Sequence, residues 1–265
     1  MRTIIRLSGM LLLALLITRC KDDKSVNIFT VGQDIEFGMA LDQEIMANPS
    51  DYPVLSKSQY PLAYQHIERI RDNILASGEL KYADRFPWEV KIIDDTVLNA
   101  FAAPGGYMYF YTELIKFLDD EAQFAGVMAH EMAHCDRRHS TDNLTKQYGI
   151  SIMIGMILGD NPSQLAEIAA GLASGLTSLA FTRQNEYEAD EYAVKYLKKT
   201  EYRSCALGDF FIKLQAQVGS EIRPPVFLST HPSPEDRLDM INQHCSGSGG
   251  EGFQSRYQEF KNSLQ

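Results

Sequence analysis

The sequence predicts an α+β protein, mainly α-helical, in which a small β-sheet lies beside a histidine-bearing helix. Three observations carry this. Residues 121–134 repeat apolar side chains at helical spacing, contain no proline, and end in His130-Glu131-Met132-Ala133-His134. Two short runs, 88–93 and 107–111, are rich in β-branched and aromatic residues and are separated by Pro104-Gly105-Gly106. The remaining periodic apolar stretches have helical length. With 45% hydrophobic residues among 265, the chain can bury a sizeable core, as one large domain or one domain with appendages. A net charge of -10 without a long Lys/Arg run excludes nucleic acid from the expected partners.

In chain order, residues 1–19 set Arg2 and Arg6 before an apolar run over 9–17, too short to span a bilayer comfortably, which is the pattern of a secretory signal peptide. The rest of the chain is therefore expected to be exported. Cys20 resembles the lipidated cysteine of bacterial lipoproteins, although Arg19 stands where that class carries a small residue. That resemblance implies an acylated Cys20, a flexible polar tether over 20–27, and an outer-membrane lipoprotein facing the periplasm or the surface. An uncleaved anchor or a non-lipidated signal is the alternative. Residues 28–245 are expected to form the folded domain, and 246–265 a flexible linker and tail. With Cys20 acylated, Cys135, Cys205 and Cys245 remain in an oxidising compartment. Cys135 follows His134 and reads as a small buried residue, so elimination pairs Cys205 with Cys245.

Residues 28–47 read as an amphipathic helix with Ile28, Ile35, Phe37, Met39, Leu41 and Ile45 turned inward, and 64–75 as a second with Ile67, Ile70, Ile74 and Leu75 inward. The strands at 88–93 and 107–111 follow. Between them, Asn99, Ala100, Phe101 and Ala102 form either an edge that can pair with an extended peptide or a plain hairpin with a buried Phe101. In the helix at 121–134, the small residues Ala125, Gly126, Ala129 and Ala133 admit close approach by another element. The apolar stretch 148–180 is divided at Gly159-Asp160-Asn161-Pro162 into two runs too short to cross a membrane, and reads as a helical hairpin over or beside the site. Residues 181–190 are good helix formers, and two prolines after Thr230 hold His231 in an extended loop before a helix bearing Arg237.

Residues four apart on a helix share a face, so His130 and His134 can reach a single zinc ion. Glu131 is turned about 100° from His130, which removes it as a ligand and leaves it near enough to take a proton from water. A longer histidine motif would need Gly at 137 and His at 140, where Arg137 and Ser140 stand. His139 is one place off and is expected on a different face. The third ligand is therefore sought elsewhere. Glu186 and Asp190 share a helical face, so Glu186 can ligate while Asp190 orients a ligand histidine; Glu188 lies opposite and reads as solvated.

The stretch from Asn99 to Gly106, followed by His130-Glu131-Met132-Ala133-His134 and by Glu186 with Asp190, resembles the M48 family of zinc metallopeptidases over about residues 29–242. Glu113 stands where many relatives have glycine. The resemblance implies a zincin-like metallopeptidase fold and one zinc per chain on His130, His134 and Glu186, with Glu131 as general base and Asp190 and Arg237 behind the ligands. It also implies that His231 either stabilises an oxyanion or reaches the zinc as a removable ligand. The implied activity is an endopeptidase of the bacterial cell envelope that hydrolyses unfolded or misassembled polypeptides. A latched or non-proteolytic chaperone serving outer-membrane protein assembly is the competing class.

Overall fold

The computed structural model describes residues 27–149, 162–174, 181–218, 226–232, 234–245 and 249–265. The expected signal peptide and Cys20 lie outside the described residues, as does most of the apolar stretch 148–180 apart from its second helix.

Helix α1 (Val31–Ala47) starts at Thr30, whose hydroxyl accepts the Gln33 N–H at 3.3 Å while the Gln33 side chain accepts the Thr30 N–H at 2.7 Å. This reciprocal cap places the helix start after residue 28. Phe37, Leu41 and Ile45 form its buried stripe; Met39, expected inward, is 47% exposed because it sits about 200° around the helix from Phe37. Helix α2 (Pro61–Leu75) begins a turn earlier than expected, since proline is well suited to a first turn whose N–H groups have no intrahelical partner. It buries Ile67, Ile70 and Ile74.

Strands β1 (Glu89–Ile93), β2 (Ala100–Ala103) and β3 (Tyr107–Tyr111) form one sheet in the order β1-β3-β2. β1 runs parallel to β3 with Glu89 opposite Tyr107, and β2 runs antiparallel with Ala100 opposite Phe110. The β2–β3 turn, Pro104–Gly106, holds Gly105 at φ 73° and Gly106 at φ 93°, a region open to glycine at no steric cost. Alternate side chains enter two different cores, as the strand period of two requires. Ala100, Ala102, Met108 and Phe110 join one core. Phe101, Ala103, Tyr107 and Tyr109 join the other, with Phe37 and Leu41 of α1. With both faces covered, β3 reads as an unbroken buried run, Tyr-Met-Tyr-Phe-Tyr.

After the short α3 (Thr112–Phe117) comes the central helix α4 (Glu121–Asp136), capped by the Asp120 carboxylate, which accepts the Gln123 N–H at 2.9 Å. All of its residues are buried. Around and after it run α5 (His139–Tyr148), α6 (Pro162–Ser174), α7 (Arg183–Leu197), α8 (Ala206–Val218), the short α9 (Phe227–Thr230), α10 (Pro234–Cys245) and α11 (Gln254–Asn262). A Cβ built on Gly126 would lie 2.8 Å from the Leu207 backbone nitrogen, so glycine is what lets α8 touch α4 there. Ala169, Leu172 and Ala173 of α6 enter the core shared by α1 and Phe101. Among the described residues no helix is long and apolar enough to cross a membrane.

A disulfide joins Cys205, just before α8, to Cys245 at the end of α10, with Cα atoms 5.3 Å apart; Cys135 is free and buried. The chain end carries one short helix, α11, and it packs onto the core. Tyr257 and Phe260 of α11 are fully buried, and Phe260 meets Phe124 of α4 edge-on at 5.5 Å. The aromatic residues supply apolar area that a glycine-rich approach to the helix does not reveal.

Candidate active site

Helix α4 carries His130 and His134 one turn apart, with Nε2 atoms 3.0 Å from each other. Helix α7, capped reciprocally by Thr182 and Asn185, brings Glu186 to the same point: its oxygens lie 3.4 Å from each Nε2. From the loop between α9 and α10, His231 Nδ1 reaches 3.2 Å from Glu186 Oε1 and 3.3 Å from His130 Nε2. One ligand atom from each of His130, His134, Glu186 and His231 lies within 4.8 Å of all the others, and all four residues are buried. Buried nitrogens and a carboxylate converging from three elements suit a metal that takes imidazole and carboxylate ligands, as zinc does.

Glu131 is fully buried beside this cluster, and among the described residues neither of its carboxylate oxygens has a hydrogen-bond partner. His231 Nε2 lies 3.4 Å from its Oε1 and likewise has no hydrogen-bond partner among the described residues. Burial raises the Glu131 pKa, with His231 and His130 partly opposing. A buried carboxylate without a donor is costly as a structural feature and apt as a base awaiting a proton.

Behind the ligands, Asp190 Oδ1 lies 2.9 Å from His130 Nδ1. Arg237, fully buried on α10, grips Asp190 through Nε and Nη2 at 2.7 Å each and approaches Glu186 Oε2 at 2.6 Å through Nη1. Burial pushes the His130 imidazole down, but the Asp190 and Glu186 hydrogen bonds outweigh it and lift its pKa to about 9. Burial lowers the His134 pKa far enough to keep that ring neutral. Burial works against the Glu186 carboxylate, yet Arg237 and the three histidines hold it well below the usual range. Glu186 and Asp190 are thus each met by both His130 and Arg237.

Two expectations are corrected here. His139 does not point away: its Nδ1 lies 2.9 Å from His134 Nδ1, because Arg138 takes the left-handed conformation at φ 63° and the chain turns back into α5. An uninterrupted helix would have carried it elsewhere. Glu188 is half-buried and paired, at 2.6 Å from Arg137 Nε and 3.3 Å from His139 Nε2. The His139 hydrogen bond, opposed by burial and aided by Arg137, takes its pKa down to about 2. Phe181, which no sequence pattern marked, stacks on His134 at 3.7 Å, and Phe227 stacks on His231 at 4.5 Å. Asn99, Ala100, Phe101 and Ala102 are all buried; β2 is one of the two edge strands of the sheet, and Phe101 stacks on Tyr109 at 4.5 Å.

The chain is 30% identical over 218 residues to a putative beta-barrel assembly-enhancing protease of Vibrio cholerae, covering 79% of this chain and 43% of that protein. It is 29% identical to the beta-barrel assembly-enhancing protease of Escherichia coli K12, with the same coverage of both chains. It is also 28% identical to the mitochondrial metalloendopeptidase OMA1 of Schizosaccharomyces pombe, covering 80% of this chain and 62% of that one. The chain thus spans less than half the length of the bacterial relatives it matches. The family model described as Peptidase family M48 matches residues 61–244, more than half of the chain and all of the cluster above, so the chain belongs to peptidase family M48.

Proposed function

We propose that the chain is a zinc-dependent endopeptidase of the bacterial cell envelope that hydrolyses peptide bonds in unfolded or misassembled proteins. The observation that carries this is Glu131: a buried carboxylate without a hydrogen-bond partner among the described residues, next to two histidines and a glutamate whose ligand atoms converge. His130, His134 and Glu186 would hold one zinc. When bound, zinc supplies Lewis acidity, which lowers the pKa of water and polarises a carbonyl.

Glu131 takes the proton from the attacking water and delivers it to the departing amine nitrogen, a role suited to its raised pKa. Asp190 holds the His130 ring by accepting its Nδ1–H, and Arg237 fixes both Asp190 and Glu186. His231, whose Nε2 has no hydrogen-bond partner among the described residues, donates to the developing oxyanion. Ala100, Phe101 and Ala102 belong to the edge strand β2, with Asn99 just before it, and an extended peptide would pair along this segment. A role beside beta-barrel assembly is supported by the names of the bacterial relatives, and export with a lipid anchor by the signal pattern and Cys20. Residues 28–245 would form the catalytic domain.

The second reading is a latched form or an assembly factor that keeps the metal fold for binding. It is favoured by the full burial of His130, Glu131, His134, Glu186 and His231, with His231 among the potential ligands. Residues 26–265, loaded with zinc, are incubated with a disordered protein and cleavage is followed. Cleavage that Glu131→Gln reduces by about 10²–10⁴-fold, with zinc retained, is the expected result. Cleavage by neither protein favours the latched reading, and His231→Ala then tests whether removing the fourth donor releases activity.

A further inference from the structure

Three residues from separate places in the chain line up behind His134. His134 lies on α4, Arg137 follows that helix, His139 opens α5, and Glu188 lies on α7. His134 Nδ1 is 2.9 Å from His139 Nδ1; His139 Nε2 is 3.3 Å from Glu188 Oε2; Glu188 Oε1 is 2.6 Å from Arg137 Nε. His139 is only 3% exposed. A metal on His134 Nε2 leaves the His134 proton on Nδ1, and one proton arrangement then satisfies every link. Arg137 only donates and the Glu188 carboxylate only accepts, so His139 carries its proton on Nε2. His139 Nδ1 is then the acceptor of the His134 Nδ1–H, 2.9 Å away. That leaves His134 Nε2 bare, and this is the atom 3.0 Å from His130 Nε2 and 3.4 Å from Glu186 Oε1. The opposite tautomer of His139 would aim an N–H at His134 Nδ1 and turn the His134 Nε2–H into the cluster, where it would block a metal.

We propose that His139 is a positioning residue for the metal site: backed by Glu188 and Arg137, it fixes the ring and tautomer of His134 so that Nε2 faces the ion. The proposal rests on the metal reading given above and assigns a residue to it. The two ligand histidines are then backed unequally. His130 leans directly on a carboxylate, whereas His134 leans on a neutral imidazole that relays a carboxylate and a guanidinium. The imidazole is the weaker acceptor, so His134 is the less basic ligand of the two.

Zinc affinity of the full chain is measured by competition against a chromogenic chelator, and cobalt substitution reports ligand geometry through its visible spectrum. His139→Phe keeps a ring but no acceptor, and is expected to weaken zinc binding by about 10–100-fold and alter the cobalt spectrum. His139→Asn presents Oδ1 where Nδ1 stood and is expected to restore most of the affinity, which a purely space-filling role would not predict. Glu188→Ala leaves His139 in place but frees its tautomer, and is expected to give an intermediate loss. Thermal unfolding of the metal-free proteins reports whether each variant is folded. Wild-type affinity and spectrum in folded His139→Phe, or equal losses in His139→Phe and His139→Asn, would overturn the proposal. Should His139→Phe fail to fold, wild-type affinity in Glu188→Ala overturns it. A wild-type chain that binds no zinc would instead overturn the metal reading, and the relay with it.

Discussion

Arg237 is a full positive charge without solvent, set against Asp190 and Glu186 and over the Phe211 ring at 4.4 Å. An ion so placed costs several kcal/mol to desolvate, and its partners recover that only if all remain. Arg237→Met is therefore expected to destabilise the metal-free protein by about 3–5 kcal/mol, since it strands two buried carboxylates. Zinc would replace the missing positive charge. Thermal unfolding with and without zinc checks this: the variant's midpoint should rise more on zinc addition than the wild type's. An equal rise in both would remove Arg237 from the charge balance of the site and leave it a packing residue.

Helix α4 is the element on which the rest converges, and its close neighbours depend on side-chain volume as much as on polarity. Gly126 lies one turn before His130, facing the Leu207 backbone of α8. Alanine is about 1 kcal/mol better than glycine inside a helix, which by itself would make Gly126→Ala stabilising. The added Cβ would lie 2.8 Å from Leu207 nitrogen and 3.0 Å from its Cα, and backbone moves far less readily than a flexible side chain. Overpacking of this kind costs about 1–3 kcal/mol, so the clash outweighs the propensity gain. Urea unfolding of Gly126→Ala is expected to show a lower midpoint with an unchanged slope.

At the scale of the whole molecule, Glu121 ties three distant segments together. It is fully buried and accepts from Arg69 of α2 at 2.7 Å, from Arg256 of α11 at 3.0 Å through Nε, and from the Tyr202 hydroxyl at 2.8 Å. Burial alone would raise its pKa; the two arginines and the tyrosine outweigh it, and the folded value is depressed. A depressed carboxylate contributes stability that is present above its unfolded pKa of about 4.3 and is lost as pH falls through the folded value. Glu121→Gln is expected to lower stability at pH 7 by about 1.5–3 kcal/mol, and the gap to wild type should narrow below about pH 4.3. Chemical unfolding at pH 7 and pH 3.5 measures both gaps; a constant gap would mean that the carboxylate charge is not what Glu121 contributes.

His130, Glu131, His134, Glu186 and Asp190 were legible in the chain because helical spacing fixes which side chains share a face, whatever packs around them. The two strands and the Pro-Gly-Gly turn were legible for the same local reason. His139 and Glu188 were not. Their places depend on one left-handed residue, Arg138, and on α7 lying against α4, neither of which any local period encodes. The burial of α11 was hidden too, because a polar nine-residue helix declares only Tyr257 and Phe260 as apolar anchors, and they bury only once α4 offers Phe124. Local periodicity thus settles which groups can act together within one helix. Which arginine balances them, which histidine steadies them and which end of the chain seals the core follow from contacts between segments far apart in sequence, and those exist only when the whole chain is packed.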